Sequence, residues 1–143
     1  MLHLIHPALV HFGVTFVAVG ALLEAYGHLR EREQARRIGA PILVGGTLTL
    51  VLLIASGYVA ANTIELPAGA ASPLNMHERS GWILLAWLVV LQFWQGWHGG
   101  RLPRTQAVLY ALGLLFAVAW LTYTAYLGGT LVYSYGVGVG QGP

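Results

Sequence analysis

The residues of this chain best suited to chemistry are its six histidines, His3, His6, His11, His28, His77 and His98. Imidazole ligates metals and exchanges protons near neutral pH. In an apolar helix such side chains are rare and usually face the bundle interior. His11 and His77 form the leading pair, each lying close to the start of an apolar run. Two helices running in the same direction would present these imidazoles at similar depth, on opposite sides of one haem b iron. Gly81, one turn after His77, shares its helix face and leaves room for a porphyrin edge.

His6 competes for the same place. It stands five residues before His11, and at about 100° per residue the two directions differ by about 140°. They are therefore poorly placed to serve one metal as neighbours on successive turns. If one is an axial ligand, the other is expected to be a hydrogen-bonding neighbour, for example to a haem propionate. His28 and His98 gather at the other membrane face, where a second haem is the lesser alternative to interfacial side chains that reach water. Glu24, four residues before His28 and on its face, either relays protons with it or pairs with a loop arginine such as Arg101.

Other chemistries are excluded by what the sequence lacks. There is no cysteine, so disulfides, thiolate metal sites and cysteine nucleophiles are out. Neither a serine-nucleophile motif, a HExxH zinc motif nor a phosphate loop is present.

The elements that must position the histidines are membrane spans. Hydrophobic residues make up 57% of the chain and charged ones 8%, far below the roughly 25% of soluble domains. Mean hydropathy is +0.67. Four apolar runs, about 7–29, 38–61, 76–98 and 105–127, each approach the roughly 20 residues that cross a bilayer. The expected fold is an all-α integral membrane four-helix bundle forming a single domain over residues 1–143. The first run lacks a basic start and a cleavage site, and is expected to be retained.

Loops set the orientation. Arg30, Arg32, Arg36 and Arg37 join spans one and two, and Arg101 and Arg104 join spans three and four. Only Arg79 lies opposite, beside Glu78. Basic loops stay on the cytoplasmic side, so both termini are expected outside, on the periplasmic face of a bacterial inner membrane. That gathers His3, His6, His11 and His77 at the outer end. The net charge of +2 is thus a topology signal and gives no footprint for nucleic acid. Trp82, Trp94 and Trp97 suit interfacial belts at the ends of span three. Gly45, Gly46, Gly57 and Gly113 allow close approach of a helix or a flat ligand. No internal repeat is evident. The glycine-rich tail 128–143 reads as a loosely ordered end or as a lid that brings Tyr133 over the histidines.

Two motifs carry a resemblance. His6-Pro7-Ala8-Leu9-Val10-His11-Phe12 and Gly128-Gly129-Thr130-Leu131-Val132-Tyr133, with Gly136-Val137-Gly138-Val139, resemble a bacterial membrane family called domain of unknown function 2231. The likeness spans nearly the whole chain. It implies a four-helix bundle of the cytoplasmic membrane, fused in some relatives to a Rieske iron–sulfur domain, and hence a redox role. Most relatives carry proline just after the Phe12 position, where Gly13 stands here.

The expectation is a small b-type cytochrome-like protein that passes electrons to or from a partner protein or quinone, rather than a stand-alone enzyme. His11 and His77 would ligate the iron, with His6, Gly81 and Tyr133 around the cofactor. The competing readings are a haem-free structural or assembly subunit of a larger, respiratory complex and a metal- or proton-linked transporter using His6, His11 and Glu24. Scarce acids and the lack of broken helices count against the transporter.

Overall fold

Four long helices account for most of the computed structural model, which describes residues 5–139. They are α1 (Ile5–Leu29), α2 (Glu33–Thr63), α3 (Ala71–Trp97) and α4 (Arg104–Tyr133). His3 and the last four residues of the tail lie outside the described residues. Successive helices are antiparallel neighbours around the bundle, with α4 closing back on α1. Consequently α1 and α3 occupy opposite corners and run the same way, as do α2 and α4.

Short left-handed turns make the reversals possible. Glu31 adopts φ 54° after α1, while the Arg32 N–H bonds back to the Gly27 carbonyl, closing the last turn. Gly99 does the same after α3, with the Gly100 N–H on the Gln95 carbonyl. Exposed ion pairs from Glu31 to Arg104 (3.2 Å) and from Glu33 to Arg101 (3.7 Å) then join the two loops. Six arginines therefore crowd one end of the bundle, and the histidines His6, His11 and His77 mark the other.

The surface is inverted relative to a water-soluble bundle. Phe12, Leu48, Tyr58, Val90, Phe93, Leu109 and Leu112 all point outward. The interior is built of small residues and leucines, among them Val17, Leu43, Leu84, Leu88 and Leu114. Helices α1, α2 and α4 are long and apolar enough to cross a membrane. Helix α3 is as long, but it carries polar residues, of which Ser80, Gln92 and Gln95 bond across the bundle. Gln92 donates to the Thr47 hydroxyl (2.6 Å), and Ser80 lies 2.6 Å from the Thr124 hydroxyl. Such bonds satisfy polar side chains where water is absent.

Glycines set the tightest seam. Gly13, Gly20 and Gly27 recur every seven residues along α1 and face α2, while Gly39 and Gly46 of α2 face α1 in return. A Cβ on Gly20 would lie 2.5 Å from the Leu43 backbone nitrogen, and one on Gly46 2.7 Å from that of Val17. The α1–α2 backbones are therefore in direct contact.

Three boundaries differ from the sequence reading. Helix α2 starts at Glu33, inside the arginine-rich link. Helix α3 starts at Ala71, because Pro73 falls in the first turn, where its missing N–H costs nothing. Helix α4 runs through Gly128 and Gly129 to Tyr133 before Gly136 (φ 67°) turns the chain, with the Val137 N–H on the Leu131 carbonyl. The tail is correspondingly shorter.

The two hairpins also repeat. The His6–Leu53 and His77–Thr124 side-chain-to-carbonyl contacts each span 47 residues, and the second is the first advanced by 71 positions. The same offset relates Val17 to Leu88, Leu43 to Leu114 and Leu50 to Leu121, all buried. Elsewhere along the helices the paired identities mostly differ, as at Gly13 and Leu84 or Glu24 and Gln95, which hides the repeat in the sequence.

A paired-histidine site on the bundle axis

His6 sits in the first turn of α1 and His77 in the second turn of α3. Although their helices are diagonal, the two rings come together with centres 6.5 Å apart and planes at 89°. Each ring is held in the same way. His6 Nδ1 lies 3.0 Å from the Leu53 carbonyl oxygen, and His77 Nδ1 lies 3.0 Å from that of Thr124. A carbonyl can only accept, so Nδ1 carries the proton in both rings. In the neutral imidazole this leaves Nε2 as the free lone-pair atom, and it is the arrangement that fixes a metal-ligating histidine. The Ser56 hydroxyl, 3.2 Å from His6 Nδ1, also bonds to the Leu53 carbonyl.

Glycine makes this seating possible. A Cβ on Gly57 would fall 3.0 Å from His6 Cε1, and one on Gly128 would fall 3.0 Å from His77 Cε1. Gly57 and Gly128 are again related by the 71-residue offset. Both rings are partly buried between helices.

The remaining candidates are placed differently. His11 is exposed on the outer face of α1, with Nδ1 3.2 Å from the Pro7 carbonyl one turn back. The ring that meets His77 is therefore that of His6. Only one of the two can face the axis, because about 140° separates them. The signal that selects His6 was present in the sequence: His6, Gly13, Gly20 and Gly27 share one seven-residue register, and His11 stands outside it. Gly81 faces open space, where an added Cβ would meet nothing within 4 Å. Tyr133 is 91% exposed at the end of α4 and turned outward, since the helix continues where a folded lid was expected.

At the arginine end His28 is buried, 3.5 Å from Glu24 Oε2, and stacked edgewise on Tyr110 with ring centres 5.0 Å apart. His98 caps its own helix, with Nδ1 3.0 Å from the Trp94 carbonyl. Among the described residues no hydrogen bond or ring contact joins His28 to His98. Glu24 is fully buried and accepts a bond of 2.5 Å from Gln95 Nε2. Arg101, the partner considered for it, bonds Glu33 instead.

An apolar exterior, helices of membrane-crossing length and inward-facing polar pairs define an integral membrane four-helix bundle. The chain matches the family described as a predicted membrane protein, DUF2231, over residues 2–141, and it belongs to that family. No curated protein and no solved structure matches it.

Proposed function

We propose that the protein is a membrane electron carrier holding one haem b between His6 and His77. The observation that carries this reading is the ring separation of 6.5 Å with both Nδ1 atoms committed to carbonyls. Imidazole nitrogen binds a first-row metal at about 2 Å, so two rings on opposite sides of one ion have centres about 6 Å apart. A bare metal ion would need more donors than two. Among the described residues no group of three or more histidine and acidic side chains is gathered to supply them. Haem would supply four nitrogens of its own, so that His6 and His77 would suffice to hold it. Bound there, it would supply one-electron chemistry. The chain's own part is to fix two imidazole tautomers through Leu53 and Thr124, and to exclude water with the surrounding apolar helices.

The arginine-rich end is assigned to the cytoplasm of a bacterial inner membrane by the bias of basic residues toward that side. His6, His77 and both termini then face the periplasm, where a quinone or a redox protein is the expected partner. The test is an optical spectrum of protein purified after haem-replete expression. One haem per chain with a reducible Soret band is expected. A colourless protein that copurifies in fixed stoichiometry with other subunits would replace this reading with that of a structural or assembly subunit.

A further inference from the structure

Four buried side-chain atoms lack a hydrogen-bond partner among the described residues, and all lie toward the arginine end: Glu24 Oε1, Arg36 Nε, Gln106 Oε1 and Tyr110 OH. An unmet buried polar atom is destabilising, and within a bilayer there is no bulk water to relieve it. The four are chemically complementary: Arg36 Nε–H donates, Glu24 Oε1 and Gln106 Oε1 accept, and the Tyr110 hydroxyl, which lies against the Glu24 carboxylate, can do both. They come from three helices, and α3 adds Gln95, whose amide holds the other Glu24 oxygen.

Their order along the helices is regular. Gln106 lies one turn nearer the end than Tyr110 on α4. Arg36 packs against Gly27, and Gly39, three residues deeper, packs its backbone on Glu24. Two polar layers thus follow each other inward, Arg36 and Gln106 outside, Tyr110 and Glu24 within. His28, 3.5 Å from the bonded carboxylate oxygen, stands beside the inner layer.

We infer that Glu24 is a proton-binding site at the inner end of a water-bridged chain entered from the arginine end. The bridging waters bond to Arg36 Nε–H, Gln106 Oε1 and Tyr110 OH, and meet Glu24 at its free oxygen. In the forward step a hydrated proton from that side adds to the carboxylate, leaving a neutral acid and a water; the reverse step releases it. No other bond changes. The titratable groups facing Glu24 are His28 from its own helix and Tyr110 from α4, with Arg36 of α2 one turn nearer the end and the neutral Gln95 from α3. The site is at the opposite end from the histidine pair, so either reading can fail without the other.

Infrared difference spectra of the full chain in liposomes, titrated from acid to alkaline pH in H2O and D2O, test it. A protonated-carboxyl band that is shifted by D2O, absent in Glu24→Gln and displaced in Glu24→Asp, is expected. Gln106→Leu should slow hydrogen–deuterium exchange of that band about tenfold, the order set by losing one ordinary hydrogen bond, whereas Asn62→Leu at the far end should not. The aspartate variant keeps the assay informative if the glutamine variant fails to fold. A spectrum without any Glu24-dependent band, or an exchange rate equal in Gln106→Leu and the parent protein, would overturn the proposal.

Discussion

His77 stands in the second hairpin where His6 stands in the first, 71 positions on, and the two rings meet on the axis that relates the hairpins. Equivalent residues therefore supply equivalent halves of one site.

Removing either half should abolish it. His6→Ala and His77→Ala are each expected to lose the haem spectrum, while His11→Ala, on the exposed face of α1, should keep both the spectrum and its stoichiometry. Pigment lost only in His11→Ala would return the ligand role to that residue.

The seating glycines give a second test. Gly57→Ala and Gly128→Ala each place a methyl 3.0 Å from an imidazole carbon, which forces the ring to shift by a few tenths of an ångström. Disturbing the support of a metal-ligating histidine costs roughly 10–100-fold in affinity. Haem titration into the apoprotein should show losses of that order, and similar ones at the two positions. Unchanged binding in both would disconnect the glycines from the site.

Packing of the first hairpin is sensitive in a different way. Gly20→Ala and Gly46→Ala drive a methyl into the partner backbone, and overpacking of this kind costs about 1–3 kcal/mol. Gly45→Ala on the same helix meets nothing within 4 Å, and is expected to be neutral or to stabilise by up to about 1 kcal/mol through helix propensity. Reversible unfolding in detergent or bicelles reads both. Equal effects at positions 45 and 46 would contradict the close α1–α2 contact.

The apolar runs made four helices legible, because nothing else satisfies so much backbone in lipid. Their ends were less so. Gly128 and Gly129 suggested a tail, yet Gly128 is helical, since it is the surface on which His77 rests. Pro73 suggested a loop, yet it belongs to a first turn. The choice between His6 and His11 depends on the rotation of α1 about its own axis, which is fixed by Gly13, Gly20 and Gly27 lying against α2. That register can be read from spacing, but only once glycines are treated as positions on a face. The repeat was hidden because Glu24 is matched by Gln95 and Gly39 by Tyr110, equivalent places filled by unlike side chains.

The loop between α2 and α3 links two hairpins that are equivalent at the histidine pair. Each hairpin carries its own imidazole, its own carbonyl clamp and its own glycine seat. A gene split within residues 64–70 would therefore encode two polypeptides that each carry one hairpin and half of the proposed haem site. Colour should develop only in cells that make both, and its absence on co-expression would mean that the connecting loop holds the halves together.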